Sequence, residues 1–192
     1  MQVWVLPAFL GLGLSAATGL RTFLPLLMLS VVVRMGWFGL DLNSHMAWLG
    51  SMPALVALGV ATVAELAADK IPLVDHGLSA LGTFTRPLAA AVATGAVFAH
   101  VDPATAAVAG LIIGVPTALA FHAAQTSVRL VSTATTAGIA NPVVSVVEDG
   151  LSAGMAGMAF AVPLVGAGIV VLLLIVGATV FWRRKTRRAI EP

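Results

Sequence analysis

The side chains able to do chemistry sit in two short stretches of an otherwise apolar chain. In Glu65-Leu66-Ala67-Ala68-Asp69-Lys70-Ile71-Pro72-Leu73-Val74-Asp75-His76, five ionisable groups fall within twelve residues. The end of that stretch, Val74-Asp75-His76-Gly77-Leu78-Ser79-Ala80, returns as Val147-Glu148-Asp149-Gly150-Leu151-Ser152-Ala153, with acid kept as acid and Gly-Leu-Ser-Ala identical. Carboxylates and freed carbonyls at helix breaks coordinate cations in transporters, and clustered acids titrate together with raised pKa values suited to proton exchange. The expected substrate- or ion-binding set is therefore Glu65, Asp69, Asp75, His76, Glu148 and Asp149, joined by Asn141, whose simplest role before Pro142 is that of an N-cap. Arg21, Lys70, Arg86, Arg129 and His122 are expected as counter-charges or gating groups.

Other chemistries fit less well. Asp75 and Ser79 share a helix face at i and i+4, but His76 points elsewhere, so a nucleophile, base and orienting acid do not line up. His76 and His122 have no His-Glu-x-x-His spacing, which speaks against a dedicated zinc site, and a hydrogen-bonded packing role is favoured for each. The absence of cysteine excludes thiol catalysis and thiolate metal sites. There is no glycine-rich phosphate loop for ATP. The chain is expected not to be an enzyme and to need no cofactor.

The elements that position these groups must be membrane helices. Apolar residues make up 59% of the 192 and charged residues only 9%, where soluble domains carry about 25% charged; the mean hydropathy of +1.04 agrees. Half of the ten basic residues, Arg183, Arg184, Lys185, Arg187 and Arg188, crowd into one tail. The positive-inside rule puts that tail in the cytoplasm. Prolines at the first helical position divide the rest: Pro53, Pro72, Pro87, Pro103 and Pro142 each follow a break, with Asp102 and Asn141 as N-caps.

This predicts an all-α polytopic bundle with about five spanning helices, at about 3–33, 53–69, 87–100, 103–135 and 158–183. Two short broken or re-entrant helices, at about 72–82 and 142–156, complete it. The first helix is expected to be kinked at Pro7 and Pro25. Met35 to Gly50, with Trp37, Phe38, Asp41, His45 and Trp48, reads as an interfacial connection. Gly11, Ser15 and Gly19, and again Ala106, Gly110 and Gly114, form small-residue stripes for close packing, while His122, Gln125, Arg129, Ser132 and Thr133 fall on about one helical face. One transmembrane domain covers 1–183, with 1–52 as first helix and connection, 53–100 as repeat unit one and 103–183 as repeat unit two; 184–192 is the basic tail. With five crossings, the N-terminus and the acidic elements are expected on the non-cytoplasmic side.

Gly19-Leu20-Arg21-Thr22-Phe23-Leu24-Pro25-Leu26-Leu27, Ala68-Asp69-Lys70-Ile71-Pro72-Leu73-Val74-Asp75-His76, Leu130-Val131-Ser132-Thr133-Ala134-Thr135-Thr136 and Asn141-Pro142 followed by Glu148-Asp149 resemble a family of bacterial membrane proteins, domain of unknown function 4126, with relatives in cyanobacteria. The resemblance implies a helical membrane protein and no activity. The residues themselves lead to the expectation of a small transporter or channel in the cytoplasmic (inner) membrane, moving a small cation or a proton-coupled solute through the acidic centre. The lipid bilayer, the cation or proton and a second copy of the chain are the expected partners, and nucleic acid is not. The alternative is a membrane scaffold or lipid-binding subunit whose charges lock the bundle.

Overall fold

The computed structural model describes the backbone of residues 2–69 and 72–188 and the side chains of residues 4–69, 81–180 and 182–183. Among these residues every regular element is helical. The helices are α1 (Gln2–Leu20), α2 (Leu24–Arg34), α3 (Met52–Ala68), α4 (Pro72–Ala96), α5 (Pro103–Ala109), α6 (Val115–Thr136), α7 (Asn141–Ala161) and α8 (Pro163–Arg188). A π-helical turn, Gly110–Gly114, joins α5 to α6 without a break, and two 3₁₀ turns, Trp37–Gly39 and Ser44–Gly50, form the connection before α3. Among the described residues, three helices are long and apolar enough to cross a membrane: Pro103–Thr136, Asn141–Ala161 and Pro163–Val180; the bent pair Ser44–Gly50 and Met52–Ala68 makes a fourth if counted as one span. The described residues are thus all-helical, and their apolar helices point to a membrane protein.

α1 is the central post. It packs against α4, α6, α7 and α8, with Leu14, Ala16 and Ala17 fully buried. Both small-residue stripes are close-packing sites. A Cβ on Gly11 would strike Thr94, and one on Gly19 would lie 2.6 Å from the carbonyl oxygen of Ala118; between them Ser15 Oγ bonds Thr94 Oγ1 at 2.6 Å. Gly110 and Gly114 lie on the α4 backbone at Ala90 and Ala91. A backbone obstacle cannot rotate away, so Gly110→Leu must push the π turn off α4. Overpacking costs about 1–3 kcal/mol or more, and a drop of several degrees in the detergent-solubilised melting temperature is expected; an unchanged value would show that the contact is slack.

The structure revises four expectations about the elements. The segment 3–33 is not one kinked span. It is a helical hairpin that turns back at Arg21–Phe23: Gly13 faces Ala159 and Gly157 faces Met28, so both arms run beside the same end of α7. At that end the Trp4 ring meets Phe98 at a tilt of 59° with centroids 5.9 Å apart, and Ser30 Oγ donates to the Leu49 carbonyl at 2.6 Å. Pro25, at the start of α2, cannot donate a backbone hydrogen bond and so helps to end α1 before it.

Second, Pro87 does not start a helix. α4 runs through it for 25 residues, as prolines in membrane helices are tolerated where neighbours re-satisfy the freed groups. The expected short helix at 72–82 is thus the first part of a long one. Third, the expected short helix at 142–156 is α7, 21 residues long, and the last helix starts at Pro163. Fourth, Asn141 is the first residue of α7, with Ala140 at the cap position; Asp102 does cap α5, its Oδ1 accepting the Thr105 N–H at 3.0 Å.

These changes fix which groups share an end. Asn43 ties the connection to the far end of α4: its Nδ2 donates to the Phe98 and Val101 carbonyls, each at 3.0 Å. This is the loop end, which also holds the α7–α8 junction. α7 and α8 pack antiparallel across the short junction at Val162, with Gly166 against Met158 and Ala159 and a shared groove lined from Gly150 to Met158 on one helix and from Gly166 to Val170 on the other. The tail-bearing end of α8 therefore lies with the end of α3, the start of α4 and the α6–α7 turn. Five crossings led to the expectation of opposite ends for the acidic elements and the basic tail; the full length of α7 brings them to one end of the bundle.

Candidate functional site

The break between α1 and α2 leaves helix-end groups unpaired inside the bundle, the α1 carbonyls and the α2 N–H groups. Each set meets a side chain of suitable charge. Glu65, in the last turn of α3, accepts the Thr22 N–H on Oε1 at 2.7 Å and the Phe23 N–H on Oε2 at 3.0 Å, so a carboxylate sits at the positive N-terminal end of α2. Arg86 on α4 donates from Nη1 to the Gly19 carbonyl at 3.0 Å, which places a guanidinium at the negative C-terminal end of α1. Ser152 Oγ donates to the Ala17 carbonyl at 3.0 Å. The sequence supplied these residues as an acid and a base. Their role as paired stoppers of a helix break depends on where the hairpin turns.

Arg21 is the tip residue and is completely buried. Its Nη1 pairs with Asp69 Oδ2, its Nε lies 2.5 Å from Asp149 Oδ1, and its Nη2 lies 3.5 Å from Glu148 Oε2. Nη2 also donates to Ser145, at 2.9 Å to Oγ and 3.0 Å to the carbonyl. Arg129 approaches from α6. Its Nε donates to both Glu148 oxygens at 3.1 Å, while its Nη2 reaches Glu148 Oε2 at 2.5 Å and Asp69 Oδ2 at 3.0 Å. Asp69, from the first acidic stretch, and Glu148, from the second, thus share two arginines.

A polar chain leads away from this knot. Gln125 Nε2 donates to Glu148 Oε2 at 2.7 Å, and its Oε1 accepts from Arg86 Nη1. Arg86 Nη1 also lies 2.7 Å from His122 Nδ1. An arginine can only donate, so Nδ1 is the acceptor and the ring proton sits on Nε2, which faces Thr83 Oγ1 at 3.2 Å. His122 is a neutral link. Gly82 leaves room for this arrangement, since a Cβ there would come within 3.1 Å of Arg86 Nε and 3.5 Å of the His122 ring.

Of the expected site residues, Asp69, Glu148, Asp149, Arg21, Arg86, Arg129 and His122 form one continuous network through Gln125, and Glu65 stands beside it on the Thr22 and Phe23 N–H groups. Asn141 stands outside it, bonding Thr133 Oγ1 at 3.1 Å across the α6–α7 turn. Lys70 lies outside the described residues, as do the side chains of Asp75, His76 and Ser79. His122, Gln125 and Arg129 do share a buried face of α6, whereas Thr133 is exposed. Ser145 was missed; its signal is position, because Ser145, Glu148 and Ser152 recur at i, i+3 and i+7 on one stripe of α7. Asn43 was missed too, and nothing in a loop sequence marks an asparagine as buried.

Beside the knot lies a recess of about 320 Å³ between α3 and α4, lined by Thr22, Phe23, Glu65, Asp69, Thr85 and Arg86 with Ala61, Ala64, Ala68 and Leu81. Among the described residues no group of three or more histidine, aspartate and glutamate side chains is arranged to hold a metal ion. What the arrangement can do is exchange partners: a carboxylate held by two arginines can release one of them to a proton or an arriving cation.

Comparison with known proteins gives a family and no activity. Residues 8–184 match the family described as Domain of unknown function (DUF4126). No curated protein and no solved structure matches the chain.

Proposed function

Since the chain belongs to this family of unknown function, we propose that it is a small membrane transporter or channel that passes a cation or a proton-coupled solute through the Asp69 and Glu148 centre. The observation that carries this reading is the sharing of Arg129 Nη2 between the two acids, 3.0 Å from one and 2.5 Å from the other. Asp69 also lines the recess between α3 and α4. A cation or proton entering there neutralises Asp69 and competes with the guanidiniums for it. Arg129 then moves fully onto Glu148, and reversal returns the cargo.

In this reading α3, α4, α5 with α6, α7 and α8 are five passes, and α1 with α2 is a re-entrant hairpin whose tip places Arg21 in the inner part of the bundle. α3–α4 and α6–α7 run the same way and present their acids at one end, which suits a parallel two-unit repeat. With the basic tail cytoplasmic by the positive-inside rule, the acidic end opens toward the cytoplasm and the loop end faces outward.

A second reading has its own support. Glu65 and Arg86 are engaged in capping the helix break, as they would be in a scaffold whose charges only lock the bundle. Flux separates the two. In vesicles containing the purified full chain, proton, sodium and potassium gradients should discharge, and Asp69→Asn should slow discharge at least tenfold while Asp69→Glu restores part of it. Vesicles that stay tight to all three ions, or an Asp69→Asn protein that conducts like the parent, would remove transport and leave the scaffold.

A further inference from the structure

Away from the polar centre, the first turns of α8 are the part buried in the bundle among the described residues. Gly166, Ala167 and Val170 are buried against α1 and α7, whereas Leu172, Leu173, Ile175, Val176 and Val180 are exposed. As α8 leaves the bundle it opens a groove of about 740 Å³ against α6, lined by the small residues Ala120, Ala123, Ala124, Ser127, Gly177 and Ala178 together with Phe121, Leu173 and Leu174. From Ala120 to Ser127 the groove follows about 10 Å of helix. At Ala178 it runs into a second recess ending at Trp182 and Arg183. The order along α8 is thus an apolar slot, a tryptophan and a cation, followed in sequence by Arg184, Lys185, Arg187 and Arg188.

We infer that this groove is a site for an anionic phospholipid, one acyl chain lying between α6 and α8 and the headgroup phosphate held at Arg183. Small side chains keep the slot wide enough for a chain, tryptophan settles at headgroup depth, and basic residues next to a membrane helix attract anionic headgroups at about 1 kcal/mol each. The charge selects the occupant. A plain apolar gap would take any lipid tail, whereas a gap ending at the Arg183 cation prefers the negative headgroup.

The test is native mass spectrometry of the full chain in detergent, titrated with phosphatidylglycerol or with phosphatidylcholine of the same acyl chains. Phosphatidylglycerol should be retained at least fivefold better. Ala124→Leu, which fills the slot from an exposed position, should abolish that retention with no change in melting temperature, and Arg183→Gln should shrink the preference between headgroups. Equal retention of both lipids overturns the inference, and so does retention untouched by Ala124→Leu. The chain has no cysteine, so Ala124→Cys offers a third arm: efficient disulfide-linked dimers in lipid vesicles would give the groove to a second copy and end the proposal.

Discussion

Arg21→Met is expected to destabilise the bundle by about 3–5 kcal/mol, the loss found when one partner of a buried ion pair is removed and the other charges stay behind. Methionine roughly matches the arginine stem in length, so packing changes little and the loss reports charge. Asp69, Glu148 and Asp149 would then face one another around a space that Arg21 had filled, with Arg129 left to hold Asp69 and Glu148. Proteins in this state should extract poorly and elute as aggregates in size-exclusion chromatography. Adding Asp149→Asn to Arg21→Met should recover part of the loss, because it removes one repelling charge. A single variant as stable as the parent would mean that the carboxylates are already protonated or hydrated, and the charge-locked centre would have to be abandoned.

Glu65→Leu should cost a similar amount, about 2–5 kcal/mol, through a different route. Both oxygens of Glu65 accept backbone N–H groups at the hairpin turn, and each buried donor left without a partner costs about 1–3 kcal/mol. Glu65→Gln keeps one carbonyl acceptor and should lose about half as much. The expected readout is specific: amide exchange at Thr22 and Phe23 should rise sharply in the leucine variant while the loop-end contacts of Asn43 stay protected. Uniform loss of protection across the bundle would make Glu65 a general packing residue and not the stopper of the α2 end.

Much of the polar centre was legible because charge in an apolar chain is conspicuous. The expense of burying Arg21 or Glu148 implies a partner, and the balance of acids and bases implies that they pair with one another. What could not be read was which acid meets which base. Arg21 reaches across 127 residues to Glu148, and Asp69 meets Arg129 across 60; periodicity orders residues within one helix and has no bearing on such distances. The start of α5 was marked by its capping side chain, Asp102, whereas Asn141 falls one position inside α7. Pro87 misled because proline terminates helices in water more reliably than among packed neighbours. The hairpin was hidden for a related reason: both arms are apolar, and the turn at Arg21–Phe23 carries no run of glycine, asparagine or aspartate. Its stability comes from Glu65 and Arg86, residues that lie on other helices.

That hairpin also bears on how the protein is made. Its arms are synthesised before the groups that satisfy its tip, first Glu65, Asp69 and Arg86 and only later Ser145, Glu148 and Asp149. The nascent N-terminal segment must therefore wait, with an arginine at its bend, beside the insertion machinery or in the headgroup layer until α7 arrives. Assembly of the centre is consequently incomplete until α7 is in place, and a chain truncated before α7 should be handed to quality-control proteases.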